Sequence, residues 1–171
     1  MKLDLALKLA ERIVTEITPY CDKVVIAGSI RRKREEVGDI DIVVEPRDRA
    51  GLRQRVMQSN PRIIAAGPQN LEVELQRGVR LDLWIATGEQ PTLFGEMGTN
   101  FGSLLLCRTG CVTHNIKLVE FAKRKGLRWN PYYGVFDAQG KCLASETEEA
   151  VYAALGLKWI DPVDREPAVT L

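Results

Sequence analysis

Two stretches concentrate the residue types able to do chemistry: Ala27-Gly28-Ser29-Ile30-Arg31-Arg32, and Val37-Gly38-Asp39-Ile40-Asp41-Ile42-Val43-Val44. Asp39 and Asp41 lie two apart in an apolar run that reads as a strand, so both side chains leave one face while Ile40 and Ile42 enter the core. Adjacent carboxylates repel unless a divalent cation joins them, and magnesium favours a few carboxylate oxygens together with substrate phosphates and water. Asp82, in Arg80-Leu81-Asp82-Leu83, adds a third carboxylate on the face opposite Leu81 and Leu83, and a neighbouring antiparallel strand is expected to set it beside the first two. Three carboxylates suit two Mg²⁺ ions about 4 Å apart, with Mn²⁺ as a substitute, which activate an attacking hydroxyl and neutralise a triphosphate. Asp82 is also suited to accept the hydroxyl proton. An isolated D-x-D reads as an exposed strand edge, and the upstream segment changes that reading. Gly28 at a strand-to-helix turn lets backbone N–H groups approach phosphate, Ser29 and Arg32 can grip terminal phosphates, and Gly38 permits close backbone approach before the acids.

The elements that must position these groups follow from periodicity. Leu3, Leu7, Ala10, Val14 and Ile17 recur at helical spacing until Pro19 and predict an opening amphipathic helix. Val24 to Ala27 and Ile40 to Val44 read as buried strands, and Leu52 and Val56 as a helix before the apolar run Ile63 to Ala66. Leu71, Val73 and Leu75 alternate with polar residues, as do Leu81, Leu83 and Ile85, so a hairpin turning at Arg77-Gly78 is expected. Helices are expected over Leu93 to Leu106 and Val112 to Lys125, broken at Thr109-Gly110. Short strands are expected at Leu127 to Trp129 and Gly134 to Phe136. A capping box, Ser145-Glu146-Thr147-Glu148, precedes a helix over Ala150 to Leu155 that Gly156 stops, and the tail from Asp161 reads as irregular. The domains are placed at 1–90 and 91–171.

The chain has 171 residues, 45% of them hydrophobic, enough for a substantial core. Its net charge of +1 argues against very tight nonspecific nucleic-acid binding, although Arg31 to Arg34 and Lys123 to Lys125 are basic clusters. Four cysteines without a C-x-x-C pair and a single histidine point to reduced thiols rather than a zinc site. The amino terminus does not read as a signal peptide, and no run is long enough for a membrane span, so a cytoplasmic protein is expected.

The glycine-serine turn, the acidic pair and the later third acid resemble the nucleotidyl transferase superfamily. Arg80-Leu81-Asp82-Leu83, Thr109-Gly110-Cys111, His114-Asn115 and Lys125-Gly126 are similar to the palm and thumb of family X, polymerase-beta-like DNA polymerases. Glu146-Thr147-Glu148-Glu149, Tyr152, Leu155-Gly156-Leu157 and Asp164-Arg165-Glu166 resemble the bacterial and archaeal branch. The resemblance implies an α/β (α+β) fold: a nucleotidyl transferase palm with a mixed β-sheet flanked by helices, then a small helical/β thumb. It implies Asp39, Asp41 and Asp82 as metal ligands and catalytic residues, and Gly28, Ser29, Arg32, Gly38, Arg108, Thr109, Gly110 and Asn115 as nucleotide contacts. Asn115 falls where the family touches the minor-groove edge of the incoming nucleotide, and Gly110-Cys111 where its peptide bond is often cis. Lys123, Arg124, Lys125 and Arg128 are the expected DNA contacts.

The implied activity is template-directed transfer of a nucleoside monophosphate from a dNTP to a primer 3′-hydroxyl, at short gaps in repair, by a monomer acting on primer-template or gapped DNA without a membrane. Departures from the family bear on specificity. Cys107-Arg108 replaces an aromatic pair that helps exclude a ribose 2′-hydroxyl, Val119 replaces an arginine that the type member sets against the template, and Cys111 replaces a serine. Lyase, helix-hairpin-helix and metallophosphoesterase segments are not among the motifs, so lyase and nuclease activities are expected to be absent. Two alternatives stand at this point: a nucleotidyl transferase acting on a non-DNA acceptor or without a template, with ribonucleotides among its substrates, and a noncatalytic nucleic-acid-binding module.

Overall fold

Alternation along two apolar stretches becomes, in the folded chain, a sheet with chemically distinct faces. The computed structural model describes residues 1–88, 90–92 and 95–166 and divides into two units, Met1–Ile85 and Ala86–Leu171. In the first unit, helix α1 (Leu3–Ile17) buries Ala6, Ala10, Ile13 and Ile17, the stripe that a 3.6-residue period allows. Strand β1 (Cys21–Ile26), the single-turn helix α2 (Gly28–Arg31), β2 (Ile40–Pro46), α3 (Arg49–Met57), β3 (Arg62–Ala66), β4 (Asn70–Glu74) and β5 (Arg80–Ile85) follow. Asp48 caps α3 by accepting from the Gly51 N–H at 2.9 Å.

The five strands form one mixed sheet in the order β1-β2-β5-β4-β3. Ile40, Ile42, Val44, Leu71, Val73, Leu81 and Leu83 turn to the face that α1 and α3 cover, joined there by Leu52 and Val56. Each such aliphatic side chain, fully buried, stabilises the fold by about 1.5–3 kcal/mol. One expectation is corrected here: β5 is antiparallel to β4, but it runs parallel to β2, the strand carrying Asp41. The hairpin between β4 and β5 turns at Gln76–Gly78, with Arg77 and Gly78 both at positive φ and the Leu75 N–H donating to the Val79 carbonyl at 2.7 Å. β3 lies at the sheet edge, and Ile63 and Ile64 remain exposed.

The second unit opens with a ribbon, β6 (Gln90–Thr92) antiparallel to β7 (Gly95–Met97), where a helix from Leu93 is expected. Leu93 itself lies outside the described residues. Helix α4 begins only at Phe101 and ends at Thr109. The cause is a nonlocal anchor at Asn100, which is fully buried. Its Oδ1 accepts from the Thr87 N–H at 2.8 Å, its backbone N–H donates to the Thr87 carbonyl at 3.2 Å, and its Nδ2 donates to the Tyr132 carbonyl at 2.7 Å. At the start of α4 the Phe101 N–H donates to the Thr99 hydroxyl at 3.3 Å, and the next two donate to carbonyls of the segment before the last helix, Gly102 to Glu146 at 3.1 Å and Ser103 to Ser145 at 2.9 Å. A Cβ at position 102 would collide with the Thr147 backbone.

Helix α5 (Val112–Arg124), strands β8 (Arg128–Asn130), β9 (Gly134–Phe136) and β10 (Cys142–Ala144), and helix α6 (Glu148–Leu155) complete the unit around Leu106, Leu118, Trp129, Val135, Tyr152 and Leu155. The cap of α6 is corrected by two residues: Thr147, not Ser145, accepts from a helical N–H, that of Ala150 at 3.0 Å. Glu148 is thereby freed for a different partner. Its carboxylate pairs with the guanidinium of Arg165 through two bonds, 2.7 and 3.1 Å, and also accepts from the Trp159 indole at 3.2 Å. Arg165 is wholly buried, packs over Tyr152 and Trp159, and donates to the Ile160 carbonyl at 2.8 Å. The tail is thus a clasp as far as Arg165, with a 3₁₀ turn at Pro162–Asp164. Among the described residues no helix is long and apolar enough to cross a membrane.

Candidate active site

Parallel pairing puts Asp41 of β2 directly opposite Asp82 of β5, and antiparallel pairing puts Glu72 of β4 opposite Asp82 on its other side. Three acids from three strands therefore share one row on the face away from α1 and α3. The polar alternation in β4 was the signal for Glu72, but its row depends on strand order. Arg80 approaches both Glu72 and Asp82, with Nη2 4.0 and 3.9 Å from their nearer carboxylate oxygens. Asp82 is nearly buried and Asp41 partly so.

Asp41 is held on two sides. The Trp84 indole N–H donates to its Oδ1 at 3.0 Å. On the other side stands Gly28, at φ +58°, where an added Cβ would fall into the carboxylate, 2.9 Å from Asp41 Cγ and 3.0 Å from its Cβ. This close approach is what requires glycine at the turn after β1. Ser29 follows it, and its Oγ is buried without a hydrogen bond among the described residues. Arg32 ends the single turn of α2. Gly38 has nothing within 4 Å of the position a Cβ would take. Asp39 stands at the bend before β2 rather than inside the strand.

Among the described residues, no group of three or more His, Cys, Asp or Glu side chains is set closely enough to hold an ion. The geometry gives a pair, Asp41 and Asp82, next to an orphaned hydroxyl and a glycine turn. That donor set fits magnesium, which takes one or two protein carboxylates and completes its shell with substrate phosphate and water. Thiol chemistry fits poorly. Burial pushes the Cys21 thiol up to about 11 and also raises Cys107 and Cys142, leaving them protonated at neutral pH.

The remaining candidates lie in the second unit. Arg108 donates to the Tyr132 hydroxyl and its guanidinium packs over that ring, 5.4 Å from the centroid. Thr109 is buried, Gly110 has φ +72°, and the Gly110–Cys111 peptide is cis, the form the resemblance implies. Asn115 donates from Nδ2 to the Cys107 carbonyl at 2.8 Å, while its Oδ1 is buried without a hydrogen bond among the described residues. Arg124 and Lys125 fold over Phe121, and Arg128 over Phe136. Lys123 is exposed. Sequence reasoning missed Trp84, Tyr132 and Asn100. Only Trp84 carried a signal, since it lies two residues from Asp82 on the same face of β5.

Comparison with known proteins agrees with this architecture. Residues 104–166 match the DNA polymerase beta thumb family. The DNA polymerase/3′-5′ exonuclease PolX of Bacillus subtilis (strain 168) is 29% identical over 167 residues, which cover 94% of this chain and 28% of the relative's length. The chain thus spans under a third of that curated relative. Two crystal structures of Leishmania infantum polymerase beta, a ternary P/T complex and a ternary gap complex, each superpose with a TM-score of 0.73 over 98% of this chain. Their identities are 18% and 16%, and the matches cover 77% and 71% of those chains. The fold is that of polymerase beta, a mixed α/β sheet with flanking helices. The chain is thus similar to polymerase-beta-like proteins of family X, with the thumb family matched over residues 104–166.

Proposed function

We propose that this chain is a DNA polymerase that transfers a nucleoside monophosphate from a dNTP to a primer 3′-hydroxyl, filling short gaps in repair. The observation that carries the reading is the row that sets Asp41 against Asp82 on neighbouring central strands, with Gly28 and Ser29 beside Asp41. Residues 1–90 act as the palm and residues 91–171 as the thumb. Mg²⁺ ions, when bound, neutralise the triphosphate and lower the pKa of the attacking hydroxyl. The protein's own groups do the rest. Asp41 and Asp82 ligate as the facing pair, and Asp39, at the bend before β2, joins them as the third ligand when metal binds. Asp82 accepts the primer hydroxyl proton, and the Ser29 hydroxyl and Arg32 hold the departing phosphates. Arg108, Thr109, Gly110 and Asn115 contact the nucleotide. Lys123, Arg124, Lys125 and Arg128 bind the DNA backbone, with the affinity falling as salt rises. The primer-template and gap complexes of the polymerase beta relative support DNA as the partner.

The test is primer extension with labelled dNTP on gapped duplex, single strand and no nucleic acid, comparing the wild type with Asp82→Asn. Extension of the gapped duplex, abolished in the variant while its unfolding midpoint is kept, is the expected result. Label on the protein alone, or full activity in Asp82→Asn, refutes it. Parallel reactions with dATP and ATP read the sugar selectivity at Arg108.

A further inference from the structure

Trp84 occupies the acid face of β5 together with Asp82, and its indole N–H donates across to the other strand, to Asp41. Register places Trp84 opposite Val43, so the indole reaches back diagonally, past one residue pair, to Asp41. The ring is 9% exposed, and a buried indole N–H takes an acceptor wherever one is in reach. Here the acceptor is Oδ1 of a carboxylate whose opposite flank is closed by Gly28. The Asp41 carboxylate therefore sits between the indole and the glycine turn.

We infer that Trp84 is a positioning residue for the acid pair: its indole N–H fixes the Asp41 carboxylate in the orientation in which it ligates a divalent cation. The inference rests on the reading of Asp41 as a ligand. Carboxylates that ligate metals are themselves hydrogen-bonded, and removing the outer donor commonly costs about 10–100-fold in metal affinity. An indole suits this task in a way that a lysine or arginine does not. It orients the carboxylate without itself bringing a competing positive charge to it.

The experiment titrates Mn²⁺, with and without dATP, into the full chain by calorimetry and needs no turnover. Two variants are compared with the wild type: Trp84→Phe, and Trp84 replaced by benzothienylalanine, which keeps the bicyclic shape and lacks only the N–H. If Trp84→Phe fails to fold, the isosteric variant decides. Mn²⁺ affinity lower by about tenfold or more in the isosteric variant, at an unchanged unfolding midpoint, is the expected outcome. Equal or tighter binding overturns the positioning role while the polymerase reading stands. Saturable Mn²⁺ binding missing from the wild type overturns both.

Discussion

Replacing Gly28 by alanine isolates what the glycine turn does for Asp41. Gly28 and Gly78 belong to the same unit and both have positive φ, +58° and +73°, so alanine at either position costs the left-handed backbone penalty of roughly 1–2 kcal/mol. Only at Gly28 does the new methyl also collide, because around Gly78 nothing lies within 4 Å. The collision is with the Asp41 carboxylate, which has to leave the Trp84 N–H. A hydrogen bond to a charged group contributes about 1.5–3 kcal/mol, so Gly28→Ala loses roughly 2.5–5 kcal/mol in all against roughly 1–2 for Gly78→Ala. Urea unfolding of the two variants measures that difference. Displacing a reacting group by about 1 Å costs on the order of 100-fold in rate, so primer extension falls by about that factor in Gly28→Ala and stays near wild type in Gly78→Ala. Equal destabilisation and equal extension rates in the two variants would refute the account of Gly28 as a spacer for Asp41.

Ser29→Ala removes a buried hydroxyl with no hydrogen bond among the described residues, so the unfolding midpoint holds or rises, while dNTP affinity in equilibrium binding drops by about fivefold to tenfold. Glu148→Ala leaves the Arg165 guanidinium buried without its carboxylate and destabilises the second unit by about 3–5 kcal/mol, visible as a lower thermal midpoint. His114 gives a pH signature. Burial first, then the charges of Arg165 and Lys117, lower its pKa from 6.5 to about 4, against an opposing pull from Glu148. The unfolded chain therefore takes up this proton near pH 6.5 and the folded chain only near pH 4, so stability is lost as pH falls through that window. Relative to His114→Gln, the wild type should lose about 2 kcal/mol more between pH 7 and pH 5, read from urea midpoints.

Much of this was legible in the sequence because it depends on local periodicity. The helix α1, the break at Thr109-Gly110, the stop at Gly156 and the alternation of β4 and β5 each follow from residues within a few positions of one another, although the buried stripe of α1 runs through Ala6, Ala10, Ile13 and Ile17 and leaves the expected Leu7 exposed. The acids were also visible as a set, but their arrangement was not. Whether β5 pairs parallel or antiparallel with β2 depends on where α3, β3 and β4 lead the chain, which no alternation pattern encodes. The same limit hid Glu72 from the acid row. It hid the Asn100 anchor that delays α4, and it hid the Arg165 partner that claims Glu148 and moves the cap to Thr147. The Trp84 to Asp41 bond is a diagonal contact between parallel strands and becomes visible only once that pairing is known.

Parallel neighbours cannot be joined by a tight turn, and this gives β2 and β5 a significance for the history of each molecule. While a ribosome is still delivering the chain, Asp41 emerges long before Asp82 and before the indole that steadies it. The two carboxylates meet only when β5, the last of the five strands in chain order, pairs with β2. On the proposed function, copies in which β5 has not yet paired lack the facing acids, by connectivity rather than through an inhibitor.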